Sequence, residues 1–199
     1  MTTLSDSIAR RRTYYALSAE APISDDKIKS LIEEALKHTP SPFNMQSTRA
    51  VLLLGQAHTR VWDIALNILR GIVSDKQLPA TTDRITSFRN AYGTILFYDD
   101  QNVIKKYMDK FPLYRDQFPV WTQQAAGMLQ SNIWMLLEDV GFGASLQHYN
   151  PLIDESVQDM WHLPHHWKLV AQMPFGIPIE SPAEKEFVPL KERFIMIKE

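Results

Sequence analysis

The longest regular pattern in the chain runs from Trp121 to Val140, and any fold must accommodate it. Ala125, Leu129, Ile133, Leu136 or Leu137, and Val140 fall on one helical stripe, and Trp121, Met128 and Trp134 widen it. The stripe is broader than one core contact requires. Its extra width is more apolar surface than a monomer usually leaves bare, so the helix calls for a second covering surface.

Around this helix the chain alternates short apolar runs with amphipathic segments. Thr3 to Arg12 carries Leu4, Ile8 and the arginines in a helical rhythm, with Ser5 or Thr3 as a cap, and delivers Arg11 and Arg12 at its end. Ser24-Asp25-Asp26 caps a helix with Ile28, Leu31, Ile32 and Leu36 on one face, ending before Thr39-Pro40. Ala50 to Leu54 is short enough to be a buried strand, and a helix runs from about His58 to Val73. A polar stretch with Pro79 leads to a strand from Gly93 to Tyr98, and Asp99-Asp100 caps the next helix. After Gly141 and Gly143, Ala144 to Gln147 is expected as a strand, Asn150 as a cap and Pro151 as the first residue of a helix reaching about Trp161. Leu169 to Met173 is the last internal strand, ended by Pro174 and Gly176. The tail from Ile177, with Pro178, Pro182 and Pro189, looks like an extended arm whose Phe194 and Met196 alternate as in an edge strand. Strands separated by helices indicate a single domain of α/β type spanning residues 1–199, with 177–199 as the arm.

Composition removes several function classes. A formal net charge of -2 over 199 residues offers no field for general nucleic-acid binding. The absence of cysteine rules out disulfides, thiolate metal sites and a thiol nucleophile, so redox chemistry must come from a bound cofactor. Met1 to Ala9 has no apolar leader core and no later stretch is long enough to cross a membrane, from which a cytoplasmic protein without membrane contacts is expected. No Gly-x-Ser-x-Gly, Gly-x-Gly-x-x-Gly or phosphate loop with lysine occurs, which argues against common serine hydrolases, Rossmann dehydrogenases and NTPases. His162, His165 and His166 suggest a metal, but Pro164 breaks their alignment and no carboxylate completes the set, so no metal site is assigned.

Two stretches then carry chemistry. Arg10-Arg11-Arg12-Thr13-Tyr14-Tyr15 supplies guanidinium forks and hydroxyls that suit a phosphate, and Pro40-Ser41-Pro42-Phe43-Asn44-Met45-Gln46 supplies amides on a rigid turn that suit the edge of a flat heterocycle. Together they fit a phosphorylated aromatic cofactor. Each also has a plainer reading, as a solvated helix face and as an ordinary polar loop. Gln147-His148-Tyr149-Asn150 is denser in hydrogen-bonding groups than a strand end needs.

The arginine and Ser/Thr run, the Pro-Ser-x-x-Asn-x-Gln turn and Lys185-x-x-x-Pro189-Leu190 together resemble the nitroreductase-like FMN flavoprotein family over nearly the whole chain. Arg11 to Leu17, Leu146 to Pro151, Glu184 to Phe187 and Glu192 to Phe194 are similar to its short branch, shared by bacteria and fungi. The resemblance implies an α+β fold with a helix-flanked, largely antiparallel sheet, and an intertwined homodimer with FMN in two interface clefts. It implies that Arg11, Arg12 and Thr13 hold the flavin phosphate, that Lys185 and Arg193 add contacts from the tail, and that Ser41, Asn44 and Gln46 approach from the neighbouring subunit. Gln147 and His148 stand where larger members place a Glu-Gly pair beside the flavin N5. Tyr15 stands where many carry a lysine, for which Arg84 is a candidate substitute. The implied activity is hydride transfer from NAD(P)H to nitroaromatics or quinones in a ping-pong cycle with no essential protein acid or nucleophile. The alternatives are a regulatory flavin-binding protein with little turnover and a metal hydrolase built on the histidines.

Overall fold

A computed structural model of the protein describes residues 3–182 and 184–199. In chain order the elements are α1 (Leu4–Arg10), β1 (Leu17–Ser18), α2 (Asp25–His38), β2 (Thr48–Leu54), α3 (Gly55–Arg70), α4 (Leu78–Arg89), β3 (Gly93–Asp100), α5 (Gln101–Lys110), α6 (Phe118–Asp139), β4 (Gly143–Ala144), α7 (Asp154–Trp161) and β5 (Trp167–Pro178). Short side chains start three of the helices. Thr3 and Asp6 form a reciprocal cap on α1, Ser24 accepts from the Lys27 amide at the start of α2, and Asp100 Oδ1 accepts from the Asn102 and Val103 amides to open α5. In α2 the first turn carries Asp25 and Asp26 and the last carries Lys37 and His38, which matches charge to the helix dipole at both ends.

The sheet runs β1-β5-β3-β2, with β4 also paired to β5, and every one of these strand pairs is antiparallel. All eight residues of β3 are buried, as its central place requires. Alternation sends successive β3 residues to opposite faces. Ile95 and Phe97 meet Ile28 and Ile32 of α2 and Leu129, Ile133 and Leu137 of α6 on one face. Leu96 and Tyr98 meet Val61 and Trp62 of α3, Phe88 of α4 and Val157 of α7 on the other. The result is an α+β arrangement in which one antiparallel sheet separates two helical layers.

In the Trp121–Val140 stripe, Ala125, Leu129, Ile133 and Leu137 are buried in the sheet core, Trp134 and Trp121 pack at the edges of two core clusters of the same chain, and Met128 remains 41% exposed.

Several expectations need correction. The stretch around Pro79 is the helix α4, not a polar connection. Its weak apolar rhythm hides it, but Ile85 and Phe88 bury completely and Phe88 packs 4.9 Å from the Trp62 ring, so tertiary contact decides its structure. Pro79 sits in its first turn, where a missing N–H costs nothing. Strand β5 does not stop at Pro174 and Gly176; it continues to Pro178. The Pro174 carbonyl faces the β4 side, where the Ser145 amide donates to it at 3.2 Å, so the donor-less nitrogen lies off the ladder to β3. The expected Ala144–Gln147 strand shrinks to Gly143–Ala144 plus a single bridge between Gln147 and Gln172. Asn150 does not cap α7, which starts only at Asp154, because its Oδ1 accepts instead from Gln172 Nε2 at 3.3 Å. Phe194 and Met196 form no strand; among the described residues beyond Pro178 the only helical turn is Leu190–Glu192.

One buried charge is left poorly compensated. Asp99 is 1% exposed, Gln123 Nε2 donates to its Oδ2 at 3.2 Å, and burial pushes the carboxyl up to about 6. A raised folded-state value penalises the charged form, so the penalty is complete above about pH 6 and disappears as pH falls towards 3.8. The substitution Asp99→Asn is therefore expected to stabilise the fold by about 2 kcal/mol at pH 8, with no gain at pH 3.5, after about 1 kcal/mol is returned to a poorly paired amide. Denaturant melts of both proteins at the two pH values test this; an equal effect at both would mean the carboxyl is not the cause.

Candidate functional site

The arginine run leaves the end of α1 in extended form and lies against β4. Tyr14 donates its amide to the Ala144 carbonyl at 3.0 Å, and Thr13 bridges Ala144. Gly143 makes the approach possible, since a Cβ there would stand 2.7 Å from Tyr14 Cδ2 and from Pro178 Cγ. The Arg11 guanidinium stacks 4.5 Å over the Trp134 ring of α6. Arg11, Arg12, Thr13 and Lys185 then border one cleft of about 870 Å³, roofed by the start of the tail. Glu180, Glu184 and Glu186 share this cleft, so its charge is balanced rather than strongly positive. Arg193 lies on the exposed tail and is not among the residues that border it.

Strand β5 connects this cleft to the Gln147 segment. Ala144 pairs with Phe175 and Gln147 with Gln172, three residues apart, which is roughly 10 Å along a strand. Gln172 is fully buried and holds the segment at several points: its backbone exchanges two hydrogen bonds with Gln147 at 2.7 and 2.9 Å, its Oε1 accepts from the Tyr149 amide at 2.7 Å, and its Nε2 donates to Asn150. With the backbone fixed, Gln147 is left half-buried and His148 exposed. Sequence reasoning missed Gln172. A lone amide inside the apolar run Leu169–Phe175 was its signal, because a buried polar side chain must have partners.

The amide turn lies elsewhere in the chain. Phe43, Asn44 and Gln46 all have φ between 51° and 52°, three left-handed residues in four positions, a strain that concentrates at ligand-binding turns. Ser41 Oγ accepts from the Gln46 amide at 2.9 Å, and Arg49, also missed, donates to the Gln46 carbonyl at 2.7 Å while pairing with Asp100 at 2.8 Å. Phe43 stacks 4.5 Å from Phe111 and lies within 6.3 Å of Tyr114, Phe118 and Trp121, yet stays 49% exposed. The turn thus belongs to an aromatic wall on the α5–α6 connection and the start of α6. Within one chain, Ser41, Asn44 and Gln46 do not reach the cleft of Arg11 and Arg12.

Helix α4 brings Arg84 over the Tyr15 ring at 4.7 Å, and Arg84 also borders a groove with Tyr149. Burial raises the Tyr149 hydroxyl above its usual range, with Arg84 opposing the shift. His166 stands 3.8 Å from Asp100, and among the described residues no cluster of three or more His, Asp or Glu is arranged to hold a metal.

An antiparallel sheet between helical layers, with a guanidinium-bearing cleft beside its β4–β5 edge, is the α+β architecture of the nitroreductases, and the family match makes the protein an oxidoreductase. Residues 8–177 match the Nitroreductase family, and the chain belongs to it. Nitroreductase CinD from Lactococcus lactis, in a structure with chloramphenicol, superposes with a TM-score of 0.91 at 38% identity, covering 98% of this chain and 100% of that one. The CinD structure with 4-nitrophenol gives 0.90 at 39% over the same shares. HBN1 of Saccharomyces cerevisiae is 36% identical over 184 residues, 91% of each protein. The relatives thus span a bacterium and a fungus. No helix among the described residues is long and apolar enough to cross a membrane.

Proposed function

We propose that the protein is an FMN-dependent NAD(P)H oxidoreductase that reduces nitroaromatics or quinones, working as a cytoplasmic homodimer of single-domain chains. The observation that carries this reading is the cleft of Arg11, Arg12, Thr13 and Lys185, set roughly 10 Å along β5 from Gln147 and His148. That spacing suits a phosphate at one end and a flat ring at the other, joined by a five-carbon chain, so the residues fit FMN. When bound, FMN supplies the hydride-accepting and hydride-donating chemistry.

The chain's own groups bind and orient. Arg11 and Arg12 offer forked donors to the phosphate, Thr13 a hydroxyl and Lys185 a point charge, with Arg193 as a further tail contact. Gln172 holds the backbone of Gln147 so that Gln147 and His148 line the ring. Arg84 supplies positive charge at the ring edge beside Tyr15. Ser41, Asn44 and Gln46 come from a second copy, whose Phe43, Phe111 and Trp121 give a flat acceptor an apolar wall. The nitroaromatics bound by CinD suit such a wall.

Absorbance of the purified protein tests the cofactor: a yellow preparation releasing FMN on denaturation is expected, and FAD or no colour overturns the reading. Arg12→Ala is expected to weaken FMN by about tenfold or more, since a charge-assisted contact contributes roughly 1.5–3 kcal/mol. A fluorescence titration with FMN measures it, and unchanged affinity would return Arg12 to a solvated face. His148→Ala is expected to slow the acceptor half-reaction more than reduction by NAD(P)H, which stopped-flow traces separate; equal losses would make His148 structural. Steady-state NAD(P)H oxidation distinguishes the enzyme from a regulatory flavin-binding protein, the reading motivated by Tyr15 in place of the lysine and by Gln147 and His148 in place of the Glu-Gly pair.

A further inference from the structure

The groove that Arg84 shares with Tyr149 has a volume of about 840 Å³ and lies between the end of α3 and helix α4. Gln77, Thr81 and Arg84 recur along it at helical spacing, so the groove follows α4 for seven residues, roughly 10 Å, from the start of the helix to the ring edge assigned to Arg84. Tyr149, the neighbour of His148, closes it on the ring side.

The chemistry of this groove is one-sided. Lys76 and Arg84 border it and no carboxylate does, whereas three glutamates share the cleft of Arg11 and Arg12. Neither Lys76 nor Arg84 forms a salt bridge among the described residues, and their sequence neighbours Asp75 and Asp83 do not line the groove. Ser74 Oγ donates to Gln77 Oε1 at 2.9 Å, which leaves the Gln77 amide N–H groups to donate. Helix α4 also begins here without a side-chain cap, so its dipole adds to the charge of Lys76. The far end of the groove therefore suits an anion held at a distance from the ring.

Nitroaromatics and quinones are short and need no charge away from the reacting group. Of the reactants in the proposed cycle, the nicotinamide dinucleotide is the one that joins a flat ring, through a ribose, to a pyrophosphate. We infer that this groove seats the pyrophosphate of the NAD(P)H donor. Lys76 and the Gln77 amide contact it, Arg84 stands between it and the ring, and Leu69 and Val73 give the adenosine an apolar margin. The inference rests on the oxidoreductase reading above, and within it Lys76 binds the donor without taking part in hydride transfer.

Two measurements on the full FMN-loaded chain test this. In calorimetry with ADP as the probe, saturable binding is expected, weakened about fivefold or more by Lys76→Gln and largely kept by Lys76→Arg, while adenosine binds both proteins alike. In stopped-flow reduction of the flavin, Lys76→Gln is expected to raise the NADH concentration for half-maximal rate by a similar factor without lowering the limiting rate. Reduction by 1-benzyl-1,4-dihydronicotinamide, which has the ring and no phosphate, is expected to be the same in both. Lys76 is exposed, and a melting curve confirms that the variant is folded. Unchanged ADP binding, an unchanged NADH dependence, or an equal effect on both donors would overturn the inference and leave the enzyme reading standing. Loss of FMN from the variant would also overturn it, by giving the groove to the cofactor. Failure of both donors to reduce the unmodified protein would overturn the NAD(P)H reading itself, and the inference with it.

Discussion

A chain ended after Glu180 is expected to elute as a monomer and to come off the column colourless, while still melting cooperatively. Among the described residues the last fully buried apolar side chain is Phe175, so none of those beyond Glu180 adds a core side chain. What is lost is Lys185 and a run of apolar side chains left bare by the described residues, with exposures from 69% at Phe194 to 82% at Ile195 and Ile197. Apolar surface on this scale calls for a partner, and a second copy offers one with the symmetry that most soluble oligomers use. The position of the cut matters. Ending at Phe175 would remove Gly176, Ile177 and Pro178, which pair with Gly143, Ser18 and Leu17, and would damage the sheet itself. Light scattering after size exclusion, with a flavin spectrum of the same peak, reads both outcomes, and a truncated chain that stays dimeric and yellow would contradict the crossing arm.

Trp62→Ala is expected to destabilise the protein by about 3–5 kcal/mol, among the largest costs a core truncation produces. Trp62 is fully buried, packs against Phe88 at 4.9 Å and meets Tyr149 edge-on at 5.8 Å. Its Nε1 donates to Thr94 Oγ1 at 2.9 Å, and that hydroxyl lies 2.9 Å from His58 Nδ1. The other His58 nitrogen, Nε2, is 3.1 Å from the Arg89 carbonyl, and burial pulls the imidazole down to about 4, so a neutral ring with the proton on Nε2 satisfies the whole chain of contacts. Removing the indole leaves a cavity and one fewer donor on Thr94. At roughly 2–4 °C per kcal/mol for a protein of this size, the melting temperature should fall by about 6–20 °C, which differential scanning calorimetry measures. Trp62→Phe, which keeps most of the volume, should cost less than half as much; equal losses would assign the effect to the hydrogen bond rather than the packing.

The parts of this architecture that could be read from the residues are those where local pattern and burial agree. The capped amphipathic helix α2, the apolar strands β2 and β3 and the long helix α6 each carry their own signal. The parts that could not be read are those where a distant contact outweighs a weak local one. Helix α4 has little apolar rhythm of its own and is held by Ile85 and Phe88 against α3, so Arg84 could be suspected but not placed. Strand β5 passes through Pro174 because that nitrogen happens to point away from β3, a matter of register that no local pattern carries. Within the candidate site, charged and amide side chains could be named from their chemistry. Their supports Gln172, Arg49 and Gly143 could not, since a buried anchor shows its purpose only when both segments it joins are in view.

The three left-handed residues at Phe43, Asn44 and Gln46 bear on how this protein could diversify. The turn is fastened to the rest of the chain by backbone groups, by Ser41 Oγ, by Arg49 and by the Phe43 ring in the aromatic wall, while the exposed Asn44 side chain takes little part in holding its shape. Lineages could therefore exchange the Asn44 side chain and inherit the same loop. The Gln147 segment offers less freedom, because a change of the Gln172 side chain releases Tyr149 and Asn150 together, next to the Gln147 backbone that Gln172 pairs with. Drift in what the protein accepts should accumulate on the turn and the aromatic wall, while the strand-borne half of the site stays as its ancestor left it.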